Sequence, residues 1–230
     1  MGISLAALLR WCASVRAKTL PMAELCKVHQ TDKCNDRHGY VAVYDLLFAP
    51  ARFQDVRLLE IGILDGQSLR LWEAYFPNSK IFGLDIANKS EHDSDRIKTI
   101  VGDQGKREDL ENAISVTGGG LDVIIDDGGH TMMQQQLTLG VLFPALKSGG
   151  IYIIEDVHTS FPDLYAGYGV ERAGANSTYA MIDHFMQSGR IKSEYLTDID
   201  AEYLTQHISR CLYFFRSSTR HSSFFACWKK

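Results

Sequence analysis

The sequence predicts an α/β fold with a doubly wound, mostly parallel sheet and a C-terminal antiparallel hairpin. Three observations predict it. Short apolar runs rich in β-branched residues recur along the chain and are bounded by glycine or turn residues, which is typical of buried strands. Segments with helical spacing of apolar residues separate these runs, and such alternation favours parallel strands with helices on both faces. The C-terminal stretch differs, because two aromatic-rich runs there flank a short polar turn.

The predicted elements follow one another in chain order. Strands are expected at 56–62, 80–86, 97–103, 121–127 and 150–156, helices at 67–75, 106–116 and 131–147, and the hairpin strands at 211–217 and 223–229. The stretch 161–176 is rich in glycine and contains Pro162, so we interpret it as a mobile lid over the strand ends.

The chain has 230 residues, of which 45% are hydrophobic, and this suffices for one good core. We expect a single domain over 31–230, preceded by a helical leader over 1–30. Apolar residues from Ile3 to Val15 could line one face of a helix docked on the core or on a second subunit of a homo-oligomer. The alternative is a helix on a membrane surface, since the apolar run is too short for a transmembrane segment.

The charge and the cysteine content of the chain limit the kinds of partner and the cellular compartment that we expect. The formal net charge of -4 and the absence of long basic runs give no electrostatic reason to expect a nucleic-acid partner. The five cysteines are odd in number and form no C-x-x-C pair. We interpret this as a reducing, cytoplasmic setting. Cys26, His29, Cys34 and His38 allow a zinc site as an alternative, although their spacing is irregular.

Acidic residues end two of the predicted strands. Asp126 and Asp127 close the fourth strand, and Glu155 and Asp156 close the fifth. Because neighbouring parallel strands end about 4.8 Å apart at one edge of the sheet, Asp127, Glu155 and Asp156 can converge on one hard cation. His130 follows three residues after Asp127, where an imidazole can act as a base beside the metal.

Each of these residues has an alternative role. Consecutive strand residues face opposite ways, so Asp126 is expected to orient the cofactor side of the site or to cap a helix. The pair Glu155-Asp156 could simply cap the following turn. His130 could be a metal ligand, and the site would then favour a softer ion such as zinc or manganese.

A nucleotide-type site is predicted at the ends of the first three strands. Gly62 allows a tight turn after the first strand, and Gly66 allows a ligand to approach the next helix closely. Asp85 follows Gly62 by roughly 20 residues, which is the spacing of the carboxylate that binds ribose in dinucleotide folds. G-x-G-x-x-G is absent, which counts against the pyrophosphate of NAD. Glu60, the acidic residue at the end of the first strand, favours a cationic ligand such as S-adenosylmethionine. The residues expected to bind this cofactor are Glu60, Gly62, Gly66, Ser68, Asp85, Asp103, Gln104 and Asp126.

The sequence as a whole resembles a known family. It is similar to class I S-adenosylmethionine-dependent methyltransferases of the Rossmann-like fold, and among them to the metal-dependent O-methyltransferases that act on sugar hydroxyls of macrolides and related glycosides. The matching motifs are TDK (31–33), HGY (38–40), LLEIGILDGQSLRLW, GLDI, VGDQG, IIDDGGH and IIEDVHTS.

The resemblance implies roles for individual residues. Asp127, Glu155 and Asp156 would bind Mg²⁺, with Mn²⁺ as an alternative, and His130 would be the base. Tyr40 or His38 is expected near the substrate. His158, which faces the same way as Asp156, is expected to reach the substrate or to lie in a solvated loop. The family usually has Ser where Gly129 stands, so one hydroxyl near the site is missing here.

The expected reaction is methyl transfer from S-adenosylmethionine to a hydroxyl of a vicinal diol, on a sugar in natural-product biosynthesis. A polyketide or a catechol-like diol is the alternative acceptor. Two other classes stay open, a nicotinamide oxidoreductase and a cofactor-binding module without catalysis. A binding module without catalysis has no physical need for a base and three carboxylates together. The presence of Asp127, His130, Glu155 and Asp156 therefore argues against that class.

Overall fold

A seven-stranded sheet runs through the centre of the protein. The computed structural model describes residues 20–169, 176–217 and 222–230. The strands are β1 (Arg57–Ile61), β2 (Lys80–Asp85), β3 (Ile97–Val101), β4 (Leu121–Asp126), β5 (Leu146–Ile154), β6 (Ile208–Arg216) and β7 (Ser222–Lys229). Their order is β3-β2-β1-β4-β5-β7-β6. The first five strands are parallel, and β7 runs antiparallel to both β5 and β6. The predicted fold class is confirmed.

Helices cover both faces of this sheet. They are α1 (Met22–His29), α2 (Val41–Phe48), α3 (Gln67–Tyr75), α4 (Arg107–Thr117), α5 (Met132–Leu142), α6 (Thr178–Ser188) and α7 (Asp198–His207). Successive strand residues enter different cores: Leu58 packs with α1, α2 and α3, whereas Leu59 packs with α4 to α7. This is the alternation that a strand buried on both faces produces.

The structure corrects two predicted boundaries, the end of a helix and the start of the strand after it. The helix expected over 131–147 ends at Leu142, and a 3₁₀ turn over Phe143–Ala145 follows it. Pro144 explains the difference, because proline has no N–H to continue the helical hydrogen bonds. Strand β5 consequently starts at Leu146 rather than at 150.

The N-terminal part of the chain is only partly described. The predicted amphipathic face from Ile3 to Val15 lies outside the described residues. Helix α1 falls within the predicted leader and buries Met22, Leu25 and Cys26 in the core shared with α2 and α3. Within the described ranges, no helix has the length and apolar character needed to cross a membrane.

A disulfide joins Cys26 of α1 to Cys34. The interpretation of a reducing setting implied free thiols at these positions, and the structure differs on this point. The bond also removes both sulfurs as metal ligands, because zinc binds the thiolate form of cysteine. The zinc alternative built on Cys26, His29, Cys34 and His38 is therefore wrong.

Candidate functional site

A cavity of about 710 Å³ opens at the carboxyl ends of the parallel strands. This is the edge at which open α/β sheets bind their ligands, and the volume suits a nucleoside-sized molecule. Its wall is formed by the loops that follow β1, β2, β3 and β4, by the segment 30–37, and by Asp156. Apart from the segment 30–37, which precedes the first strand, each contribution comes from a chain segment that follows a parallel strand at this edge.

The turn after β1 brings two strand ends together. Gly62 has a φ of +87°, and a Cβ at this position would collide with the carbonyl oxygen of Asp127. Only glycine therefore allows the β1 turn to approach the β4 loop this closely. Gly66, with a φ of +71°, precedes the first turn of α3. Ser68 in that turn donates to Glu60 Oε2 at 2.7 Å, which ties the helix to the strand end.

The carboxylates after β2 and β3 shape their own loops. Asp85 Oδ2 accepts a hydrogen bond from the backbone N–H of Ile63 at 2.9 Å, and its Oδ1 accepts one from Ala87 at 2.8 Å. Asp103 Oδ1 likewise accepts one from Gly105 at 2.8 Å. Both aspartates line the cavity. They present carboxylate edges to it from backbone positions that these hydrogen bonds hold fixed.

Gln104 connects the end of β3 to the loop after β4. Its Nε2 donates to Asp126 Oδ1 at 3.0 Å, and its Oε1 accepts from the N–H of Gly129 at 2.6 Å. A Cβ at Gly129 would meet the Gln134 side chain, so in this protein Gln134 fills space that the family's Ser would need. Asp126 is 1% exposed, and burial raises its pKa to about 7. It lies behind the cavity wall and orients Gln104.

The predicted cofactor residues therefore occupy two layers. Gly62, Ser68, Asp85, Asp103 and Gln104 line the cavity. Glu60 and Asp126 are fully buried and are hydrogen-bonded to the lining residues Ser68 and Gln104.

Three of the predicted metal-site and base residues come together at one wall of the cavity. Asp127, His130 and Asp156 each offer a ligand atom, and these atoms all lie within 4.8 Å of one another. His130 Nε2 is 3.9 Å from Asp127 Oδ1 and 3.6 Å from Asp156 Oδ2. The pairing of β4 with β5 produces this meeting, because Asp126 at the end of β4 lies opposite Ile154 at the end of β5.

Backbone conformation marks the same region. Among the described residues, four that are not glycine have a positive φ: Gln30 (56°), Leu64 (49°), His130 (58°) and Asp156 (54°). Each of them lines the cavity. Side chains other than glycine rarely adopt this conformation, and such outliers concentrate at functional sites. Asp and His adopt this backbone more often than most residues, but Gln and Leu do not, so no common sequence signal indicates the four positions.

The sequence analysis did not assign a role to Lys33, which lies at the centre of the acidic cluster. This side chain is 0% exposed. Its ammonium is 2.5 Å from Asp127 Oδ2 and 2.9 Å from Glu155 Oε2. Glu155 Oε1 accepts a further hydrogen bond from the Tyr44 hydroxyl at 2.7 Å. Both oxygens of Glu155 are thus engaged, and the structure places this predicted ligand apart from the group of Asp127, His130 and Asp156.

Burial and neighbouring charges set the protonation states of the cluster. Burial opposes the charge of Lys33, but the surrounding carboxylates outweigh it and hold the pKa well above its usual value. Burial and the nearby Asp127 raise the pKa of Glu155. Burial would also raise the pKa of Asp156, but the histidines His130, His38 and His158 lower it overall. Asp156 is therefore the carboxylate of the cluster that stays most readily ionised.

The two predicted substrate residues surround Asp156. Tyr40 donates its hydroxyl to Asp156 Oδ1 at 2.7 Å, and burial together with Asp156 raises the tyrosine pKa. His158 Nδ1 lies 3.8 Å from the same oxygen. His38 Nδ1 lies at the same distance on another side. Tyr40 and His158 are both buried, so they support the position of the carboxylate.

Comparisons with known proteins identify relatives of the chain, although no protein-family model matches it. The chain is 36% identical over 178 residues to 8-demethyl-8-(2-methoxy-alpha-L-rhamnosyl)-tetracenomycin-C 3'-O-methyltransferase of Streptomyces olivaceus, which covers 73% of this chain and 45% of that protein. It is 39% identical over 155 residues to mycinamicin VI 2''-O-methyltransferase of Micromonospora griseorubida, covering 64% of this chain and 38% of that one. The chain thus spans less than half the length of these curated relatives.

A solved structure extends the similarity over nearly the whole chain. MycE methyltransferase from the mycinamycin pathway, in complex with Mg, SAH and mycinamycin VI, superposes with a TM-score of 0.74 at 28% identity. The match covers 93% of this chain and 55% of MycE. The fold is that of the class I S-adenosylmethionine-dependent methyltransferases. Within that class, the chain belongs to the family of sugar O-methyltransferases of macrolide and glycoside biosynthesis.

Proposed function

We propose that the protein is a Mg²⁺-dependent O-methyltransferase that moves a methyl group from S-adenosylmethionine to a hydroxyl of a vicinal diol. The acceptor in this proposal is a sugar of a glycosylated natural product. One observation carries it: the group of Asp127, His130 and Asp156 forms a wall of the cavity in which the cofactor residues lie. A histidine and two carboxylates therefore lie beside the space that a nucleoside-sized ligand would fill.

The cavity offers distinct surfaces to each part of the proposed cofactor. Asp85 would accept hydrogen bonds from the ribose hydroxyls, and Asp103 and Gln104 would lie near the adenine. Leu64 and Ile86 are each 72% exposed and line the same cavity. Exposed apolar side chains at a cavity wall are well suited to pack on an adenine ring, because the ring would remove them from water.

We propose that Asp127, Glu155 and Asp156 hold the metal ion. The donor set fits a hard divalent cation, since Mg²⁺ prefers oxygen ligands and Mn²⁺ accepts them as well. Asp127 Oδ1 and Asp156 Oδ2 already face one point from two strand ends. When bound, the ion supplies a Lewis acid that lowers the pKa of an acceptor hydroxyl. Glu155 can join this set only if its pairing with Lys33 changes.

His130 is proposed as the base. Its Nε2 faces the two carboxylates, and its Nδ1 is buried without a hydrogen-bond partner among the described residues. The imidazole would take the proton of the acceptor hydroxyl, and the oxygen would then attack the methyl carbon of the sulfonium, releasing S-adenosylhomocysteine. Asp156 Oδ2, at 3.6 Å from Nε2, would lie beside the imidazole when it takes this proton.

Tyr40 and His158 are proposed to act on the acceptor side of Asp156. Because both are buried against this carboxylate, they would set how far an acceptor sugar can enter. The relatives named above act on rhamnosyl-tetracenomycin and mycinamicin substrates, which supports a glycoside for this protein.

We also propose that the enzyme acts in the cytoplasm, where a soluble methyl donor is available to it. The Cys26–Cys34 disulfide is the feature that this proposal has to accommodate. A count of reactive thiols in protein isolated under non-reducing conditions, compared with the reduced protein, tests whether that bond forms in the cell.

Calorimetric titration with S-adenosylhomocysteine, with NAD as the control ligand, tests the cofactor. We expect micromolar binding of the first and none of the second. Mass spectrometry of rhamnosylated acceptors incubated with S-adenosylmethionine then tests the reaction, with Mg²⁺ or with a chelator. Methylation that needs Mg²⁺ is expected. Well-folded protein that binds no S-adenosylhomocysteine would contradict the proposal at its first step.

A further inference from the structure

Lys33 has an environment that lysine rarely occupies. Lysine is almost never fully buried unless it is paired, and here a single ammonium faces several carboxylates. Asp127 and Glu155 lie within direct ion-pair distance at 2.5 and 2.9 Å, and Glu60 Oε1 and Asp32 Oδ1 lie farther away at 3.7 and 3.9 Å. These contacts bridge the cofactor side of the site, at Glu60, and the metal side, at Asp127.

The segment that carries Lys33 is anchored on both sides of it. Cys34 is bonded to Cys26 of α1. Tyr40 donates to Asp156 Oδ1 and to the carbonyl oxygen of Ser223. Because the backbone is held at these points, the side chain of Lys33 enters the acidic cluster from a fixed direction.

We propose that the Lys33 ammonium is the resident counter-cation of this cluster and that a divalent cation competes with it for Asp127 and Glu155. This inference rests on the proposed metal-dependent function. Both cations need the same carboxylates, since Lys33 engages Asp127 through Oδ2 and Glu155 through Oε2. An ammonium that gives up these two carboxylates still has the carboxylate of Asp32 and the carboxyl group of Glu60 within 4 Å.

The competition has two consequences for the site. Without metal, Lys33 keeps Asp127 and Glu155 from facing each other as unscreened like charges, which would be costly in a buried position. With metal, the same ammonium lowers the affinity, because the incoming ion has to displace one positive charge and then lies close to it. Lys33 is thus a positioning residue that tunes metal affinity, and it is distinct from the proposed base.

The variant Lys33→Met tests the proposal, because methionine has a similar length and no charge. Lys147→Met is the matched control, since Lys147 pairs with Asp122 away from the cavity, at 3.0 Å. We expect calorimetry with Mn²⁺ to show binding at least tenfold tighter for Lys33→Met than for the wild type, and no change for the control. Equal or weaker binding by Lys33→Met would overturn the inference. A wild-type protein that binds no Mn²⁺ at all would overturn the proposed metal dependence as well.

A measurement on the wild type keeps the proposal testable if Lys33→Met does not fold. In protein labelled with ¹⁵N-lysine, a buried ammonium gives its own NMR signal. We expect the Lys33 signal to move on addition of Mg²⁺ and to saturate together with the binding measured by calorimetry, while the Lys147 signal stays in place. A Lys33 signal that does not change in Mg²⁺-saturated protein would overturn the competition.

Discussion

The cofactor side and the metal side of the cavity are built in different ways. On the cofactor side, Asp85 and Asp103 each accept a hydrogen bond from a residue two positions later. On the metal side, Lys33 reaches Asp127 and Glu155 across 94 and 122 positions of sequence. Local turns therefore shape one half of the site, whereas the other half exists only once distant segments have met.

The two sides also differ in what they leave open to a ligand. The cofactor side exposes apolar side chains, Leu64 and Ile86. The metal side is a charged cluster in which Glu60 and Glu155 are fully buried and Asp127, His130 and Asp156 are exposed by less than a fifth. We therefore expect ligand affinity to depend on apolar contact on the cofactor side and on charge balance on the metal side, so that each can be altered separately.

Removing the proposed base should have the largest effect. We expect His130→Asn to lower the rate of methyl transfer by roughly 10²–10⁴-fold, because no other group of the cluster can take the acceptor proton equally well. Asparagine is chosen since it tolerates the left-handed backbone at this position better than alanine. Affinity for S-adenosylhomocysteine should be unchanged, and calorimetry checks it. The exposed His184→Asn on α6 is the control. A loss of only a few fold in rate would remove His130 from the role of base.

A charge on the cofactor side should mainly affect binding of the donor. We expect Ile86→Asp to weaken S-adenosylhomocysteine binding by roughly 10- to 100-fold, which corresponds to the burial of one such side chain. Stability should hardly change, because Ile86 is already 72% exposed. Ile199→Asp on α7, where the side chain is 82% exposed, provides the control. If Ile86→Asp and Ile199→Asp bind S-adenosylhomocysteine equally well, Ile86 does not contact the cofactor. The affinity for Mn²⁺ should be unchanged in both variants.

The buried carboxyl group of Glu60, between the two sides, should make the stability of the protein depend on pH. Burial, opposed by Lys33, raises the pKa of Glu60 from its ordinary value of 4.5 to about 7. The folded protein thus binds this proton more tightly than the unfolded chain, so the stabilisation is complete below about 4.5 and is lost as pH rises through about 7.

Glu60→Gln should remove this contribution in the ligand-free protein. We expect the variant to lose less stability than the wild type between pH 5 and 8, by roughly 1–3 kcal/mol. Calorimetric unfolding across this range measures the difference. The exposed Glu111→Gln on α4 should follow the wild type. Parallel curves for Glu60→Gln and the wild type would show that Glu60 is not protonated in the folded state.

Parts of the site could be predicted because they depend on short-range patterns. The strand that ends at Asp126 and the turn at Gly62 follow from an apolar run and from a glycine at its end. The end of α5 was placed five residues too late, since helical periodicity continues up to Lys147 while Pro144 already prevents the hydrogen bonds. Lys33 belonged to a motif that was noticed, but nothing in a three-residue motif shows where a flexible side chain points.

The sequence alone thus determined the alternation of strands and helices and the sheet edge at which Asp127 and Asp156 emerge, and it favoured a cofactor without a pyrophosphate. These depend on side-chain periodicity and on residues at the ends of strands. Only the tertiary structure decided that Lys33 pairs with Glu155, that Tyr40 and three histidines surround Asp156, and that His130 has a left-handed backbone. These depend on the packing of the segment 31–40 against strand ends about a hundred residues away, and no local pattern encodes that packing.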